Sequence, residues 1–231
     1  MPFSDRGTAD GVAAWPHIYI RTFLAVAAIT IYSLLLGPRL LRPALSPATY
    51  ALLGFAFYWG IALALVFVTW RGRNRSLEGI GFGPISWKSV AAALGLGVLL
   101  SLLVPVLTLL VSQLLPSTGA GGILDTAAEY PTWVIILSVF TAGVTEEIIF
   151  RGHLIERLLD VIDSRWSAAL ISLGAFVLPH LAGWNLTHVL GIVVPLGAIL
   201  TALYLWKRNV LFVMIVHIVI DAPLIFISLS S

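Results

Sequence analysis

The sequence predicts an all-α fold, a polytopic transmembrane helical bundle of about seven spans that takes in residues 1–231 as a single domain. Three observations carry the prediction. Hydrophobic residues make up 59% of the chain and charged residues only 10%, whereas soluble domains carry about 25% charged residues; the mean hydropathy is +1.02. Seven apolar runs are long enough to cross a hydrocarbon core of ~30 Å, which takes about 17–25 helical residues. Tryptophans stand at the edges of those runs, where headgroups attract amphipathic rings: Trp70, Trp87, Trp133, Trp166, Trp184 and Trp206, with Trp15 just ahead of the first run.

The first span, 18–37, opens with Arg21, close enough to the interface to snorkel. The residues before it lack a basic stretch leading into a short apolar core and a small-residue cleavage site. No cleaved signal peptide is read, and this span doubles as the insertion signal. The second span, 49–70, holds Trp59 in its interior. The connection to the third, 90–115, carries Arg71, Arg73, Arg75 and Lys88 and the glycine-rich "SLEGIGFGPISWKS", read as a turn with an interfacial segment. The fourth span, 132–150, follows a loop with Asp125 and Glu129 and precedes Arg151, Arg157 and Arg165. The fifth is 166–184; Asn185 and Thr187 make a short external turn into the sixth, 188–206; the seventh, 209–228, follows Lys207 and Arg208.

The three basic connections fall on one side, which the positive-inside rule makes cytoplasmic, with the N-terminus inside and the C-terminus outside. Arg39 and Arg42, after the first span, are the exceptions. The expected setting is a bacterial plasma (inner) membrane, with lipid around the bundle. A net charge of +2 offers no basic surface for nucleic acid. The absence of cysteine removes disulfides, thiol nucleophiles and thiolate metal sites together.

Few ionisable groups fall inside the apolar runs, and each costs roughly 2.5–3.5 kcal/mol near the bilayer centre. Helical spacing indicates how they are accommodated. Glu147 and Arg151 stand at i and i+4 with the acid N-terminal, the spacing of a salt bridge. Glu146 lies about 100° round the helix and is left for chemistry. His217 and Asp221 repeat the i, i+4 spacing, so that the carboxylate sets the imidazole tautomer. Pro179 before His180 and Pro223 after Asp221 break the backbone beside these groups, and broken backbone at membrane depth needs a polar cavity. A water-filled pocket between spans four, five and seven is therefore expected, with Glu146, His180 and His217 converging on it. Helix four is expected to run on to about Asp160, so that Arg151, Glu156 and Arg157 line a cytoplasmic vestibule. His17, His153, His188, Glu156, Asp160 and Asp163 are read as solvated.

A carboxylate and two imidazoles around water are the apparatus of hydrolysis: the glutamate takes a proton from water, one histidine shares that work, and the other holds the developing oxyanion. Zinc is the cofactor that Glu146, His180 and His217, with Asp221 nearby, would take. The metal-free alternative is preferred, because Arg151 adds a positive charge that disfavours a dication and Glu147 is spent on it.

Three motifs carry a resemblance. "EEIIFRG" (Glu146 to Gly152), "FVLPH" (Phe176 to His180) and "HIVID" (His217 to Asp221) resemble, in order and spacing, the EExxxR, FxxxH and HxxxN/D motifs of the CPBP or Abi family of intramembrane proteases. That family takes in CAAX prenyl endopeptidases and bacteriocin-processing or self-immunity proteins. The resemblance places a catalytic core at 132–222 and implies an endopeptidase whose pocket opens to the cytosol. Its substrate would be a peptide or membrane-associated protein tail. By the same resemblance Glu146 is the water-activating glutamate and Glu147 its essential neighbour. His180 works with the glutamate, and His217 with Asp221 sits at the oxyanion. Asp221 stands where many members have asparagine, and an ionised carboxylate cannot donate to an oxyanion; it suits orienting His217 or ligating a metal. Two other classes would use the same Glu/His network: a proton-coupled transporter, and a non-catalytic immunity or scaffold protein.

Overall fold

The computed structural model describes residues 16–71, 76–115 and 129–230; Trp15, Arg73, Arg75 and Asp125 lie outside these, as does the side chain of His17. Every apolar run becomes a helix. Helix α1 (Pro16–Ile31) continues through a π-helical stretch, Tyr32–Leu41, into a 3-10 turn, Arg42–Ala44. Helices α2 (Pro47–Arg71) and α3 (Trp87–Leu114) follow, with a 3-10 turn, Glu78–Ile80, between them. Helix α4 spans Thr132–Leu159, α5 Arg165–His180 and α6 Leu186–Lys207. The last run is broken into α7 (Val210–Asp221) and α8 (Pro223–Ser230), because Pro223 cannot continue the hydrogen-bond ladder.

Among the described residues six helical segments are long and apolar enough to cross a membrane. Helix α5 is the exception. At about 1.5 Å per residue its 16 residues reach roughly 24 Å, short of a ~30 Å core, and it ends at His180 instead of running to Trp184. Helix α4 does run on past 150, to Leu159, as the depth of Glu146 required.

Helix α4 forms the centre of the bundle, packed against α2, α5 and α7. From Ala142 to Ile155 it widens to π geometry, with i→i+5 bonding. Every residue from Thr145 to Ile155 is buried, polar and apolar alike. That is why a segment so rich in charge avoids lipid: protein covers all its faces. Close approach requires glycine here. A Cβ on Gly143 would run into Ile218 of α7, and one on Gly97 would meet Val219 Cβ at 2.6 Å. The periphery is the reverse. Leu99, Leu102 and Leu109 of α3 point outward, more than 60% exposed, as lipid-facing residues should. Trp70, Trp87, Trp133, Trp166 and Trp206 are all exposed near helix ends.

The glycine-rich "SLEGIGFGPISWKS" does more than turn. Ile80 is fully buried, the Gly81 carbonyl accepts the Val210 N–H at 2.8 Å, and Asn209 Nδ2 donates to the Gly83 carbonyl at 3.2 Å. A Cβ on Gly152 would lie 2.7 Å from the Ile80 carbonyl oxygen, so this segment seals the end of the bundle against α4. The same end is clasped by Glu156, which accepts from Tyr204 at 2.7 Å and from Arg208 at 2.6 Å. Glu156 and Arg151 are thus buried rather than lining a vestibule.

Candidate active site

Adjacent positions on α4 give the two glutamates different surroundings. Glu147 points into the packed interior, fully buried, and its Oε1 accepts from Arg151 Nη1 and from His217 Nδ1, both at 2.7 Å. The Arg151 guanidinium also donates to the Gly197 carbonyl at 3.2 Å and lies 4.3 Å from the Phe176 ring centroid. The pairing expected from the i, i+4 spacing is present, and Glu147 additionally holds a histidine from α7.

Glu146 faces a cavity of about 730 Å³. Across from it, at 4.0 Å, stands His180 Nε2, on the last helical residue of α5. The His180 ring is oriented by its other nitrogen, since Nδ1–H donates to the Phe176 carbonyl at 2.8 Å. That bond fixes the tautomer and leaves Nε2, with its lone pair, for the carboxylate side. Phe176 therefore accounts for the first position of the FxxxH motif. Its carbonyl aims His180 and its ring packs under Arg151.

His217 is not among the residues lining the cavity. Its Nδ1 meets Glu147 and its Nε2 lies 3.4 Å from Asp221 Oδ2, so each ring nitrogen faces a carboxylate. The structure brings Glu146 together with His180, and Glu147 with Arg151, His217 and Asp221. The predicted single cluster is two adjoining groups. Among the described residues no three His, Asp or Glu side chains gather as a metal site. With both nitrogens of His217 already facing carboxylates, the zinc set Glu146–His180–His217 does not fit this geometry.

Two histidines read as solvated are buried. His153 packs inside α4 with Nδ1 3.4 Å from Thr69 Oγ1. His188 stacks on Trp184, ring centroids 4.0 Å apart, and is held by Asn185 Oδ1, which accepts its backbone N–H at 2.8 Å. Trp184, Asn185 and Thr187 line the cavity. The four-residue spacing of Trp184 and His188 was the available signal for this contact.

The cavity has a direction. The first half of α4 lines it in a stripe, Val134, Ser138, Thr141, Ala142, Thr145 and Glu146, and no α4 residue beyond Glu146 does. Helix α2 contributes its start, from Tyr50 to Tyr58, whereas α5 contributes its end, and the π-helical stretch and 3-10 turn after α1 contribute Tyr32, Ser33, Pro38 and Arg42. At the rim Arg42 makes a two-oxygen bond to Glu129, both at 2.8 Å. The cavity thus enters from the helix ends at 42, 129 and 183, and closes at Glu146. Those ends lie opposite the basic connections at Arg71, Lys88, Arg165 and Lys207. An opening to the cytosol and cytoplasmic basic connections are therefore incompatible expectations.

No curated protein and no solved structure matches the chain. A family model does match, over residues 128–223, the stretch that contains Glu146, Glu147, His180, His217 and Asp221. The model is that of the type II CAAX prenyl endopeptidase Rce1-like family, to which this segment is therefore similar.

Proposed function

We propose that this protein is an intramembrane endopeptidase that hydrolyses a peptide bond with a water activated by Glu146, without a metal. The observation that carries the reading is Glu146 facing His180 Nε2 across 4.0 Å at the closed end of a large cavity. A water about 2.8 Å from both atoms would direct its two protons at them and its lone pairs into the cavity. As the oxygen attacks the substrate carbonyl, Glu146 takes the proton, the C–O bond forms and the carbonyl pair moves onto oxygen. Collapse of the tetrahedral species breaks the C–N bond, and Glu146 returns the proton to the departing amine. One water is consumed, and one acid and one amine are released. Glu147 acts at one remove, as a positioning residue: it ties Arg151 and His217 to α4 and so holds the turn that presents Glu146.

A proton relay would use the same groups but needs a path beyond Glu146. The buried run Glu147–Ile155 fills that side, which favours a reaction pocket over a channel. The test is the appearance of new polypeptide termini, read by mass spectrometry, in membranes carrying the wild-type protein or Glu146→Gln. The reading predicts termini that depend on Glu146. Identical termini in both membranes, or substrate uptake without cleavage, overturn it.

A further inference from the structure

The end of α5 that carries His180 is weakly held by its own backbone. Pro179, in the last turn, has no N–H to give to the Ala175 carbonyl, and the helix stops one residue later. What fixes His180 must therefore come from the residues that follow. The His180 carbonyl accepts the N–H groups of Gly183 at 3.3 Å and Trp184 at 3.1 Å, which folds the chain back in a tight turn. Within that turn Leu181, Ala182 and Gly183 are exposed and have no polar side chain, and only Trp184 is turned inward. Its indole lies flat on the His188 ring, centroids 4.0 Å apart and planes 9° from parallel. His188 is itself anchored. It is buried in the first turn of α6, where Asn185 Oδ1 accepts its backbone N–H at 2.8 Å. Helix α6 in turn sits closely on α3, since a Cβ on Gly191 would lie 3.4 Å from the Thr108 Cα. The charges of His180 and Asp221 both act on the His188 ring, which puts it beside the two groups of the site.

We propose that the Trp184–His188 stack is the clamp that holds His180 opposite Glu146, and that His188 is a positioning residue acting through its ring plane and not its protons. The proposal rests on the peptidase reading for its consequence in cleavage and on the stack for its geometry. The path is continuous: α3 seats α6, α6 presents His188, the imidazole holds Trp184, and Trp184 closes the turn on the His180 carbonyl. Removing the ring at 188 frees the turn and lets His180 move off the Glu146 carboxylate, 4.0 Å away. A shift of ~1 Å between reacting groups can cost about 10²-fold in rate. The acid–base chemistry stays with Glu146 and His180, and His188 makes no bond to substrate. A phenylalanine at 188 keeps a flat ring for the indole and lacks both nitrogens, so it should stand in for the histidine.

The absence of cysteine allows the position of residue 180 to be read without any cleavage. Glu146→Cys with His180→Cys, the facing pair, is treated with bis-methanethiosulfonates of increasing length, and bridged chains are counted by mass spectrometry. Thr132→Cys with Ser228→Cys, whose hydroxyls stand 3.0 Å apart between α4 and α8, is the control for general loosening. With the stack intact, both pairs are expected to bridge. Adding His188→Ala or Trp184→Ala should lower bridging of the facing pair several-fold and leave the control pair unchanged, whereas His188→Phe should keep it at the level of the intact stack. Bridging of the facing pair unmoved by both alanine variants overturns the proposal. So does an equal fall in both pairs, or failure of the facing pair to bridge at any length. Cleavage is read separately, in membranes carrying chains with native Glu146 and His180, by the yield of Glu146-dependent termini. About 10²-fold fewer are expected for His188→Ala and a near wild-type yield for His188→Phe. A loss in His188→Phe as great as in His188→Ala would assign the role to the ring nitrogens and overturn the clamp. The expected bridging with no Glu146-dependent termini in any membrane would sink the peptidase reading and leave the clamp standing. Such termini with bridging unmoved by His188→Ala would do the opposite.

Discussion

Replacing Arg151 by leucine tests the arrangement of the buried charges. The guanidinium is fully buried, 2.7 Å from Glu147, 3.2 Å from the Gly197 carbonyl and 4.3 Å from the Phe176 ring. Its loss leaves Glu147 in the interior with His217 as its remaining donor, since Glu147 Oε2 has no partner. Breaking a buried pair by removing one member costs about 3–5 kcal/mol, mostly from the charge left behind. For a chain of this size 1 kcal/mol moves the midpoint by about 2–4 °C, so a drop of roughly 6–20 °C is expected. Thermal unfolding in mild detergent, followed by tryptophan fluorescence, reads it. Adding Glu147→Gln should recover part of the loss, because the stranded charge goes with it; a non-additivity of about 1–3 kcal/mol is expected for groups in direct contact. A midpoint for Arg151→Leu equal to wild type, or strict additivity with Glu147→Gln, refutes the reasoning.

Gly152→Ala should destabilise by about 1–3 kcal/mol, the usual cost of overpacking, because its Cβ would lie 2.7 Å from the Ile80 carbonyl; chemical denaturation measures it. His180→Ala should lower cleavage by about 10²-fold or more, within the range for a lost acid–base partner, while moving the melting midpoint little, since the ring borders the cavity; cleavage kinetics and unfolding together check it. Chelation should leave cleavage by purified protein unchanged, and loss of activity restored by added zinc would refute the metal-free reading.

Local spacing in the sequence carried what one helix can decide alone. Glu147 and Arg151 pair, and His217 and Asp221 lie 3.4 Å apart, because residues at i and i+4 are neighbours even where α4 widens to π geometry. The end of α7 at Asp221 was legible from Pro223. Contacts between helices were not. That His217 would choose Glu147, 70 residues away, over the cavity depends on how α7 seats against Gly97 and Gly143. That Glu156 would be buried depends on Tyr204 and Arg208 arriving from α6. Hydropathy also exaggerated α5: the run continues to Trp184, whereas the helix stops at His180, with Pro179 in its last turn.

The proposed mechanism gives two adjacent glutamates separate tasks, Glu146 in catalysis and Glu147 in holding the fold. The direct measurement is cleavage and thermal unfolding of purified Glu146→Gln and Glu147→Gln beside wild type. Glu146→Gln, which keeps the shape but cannot take a proton, should melt near wild type and lose about 10²–10⁴-fold in cleavage rate. Glu147→Gln should melt well below wild type, because Arg151 and His217 lose their shared carboxylate. Wild-type cleavage by a fully folded Glu146→Gln would contradict the claim.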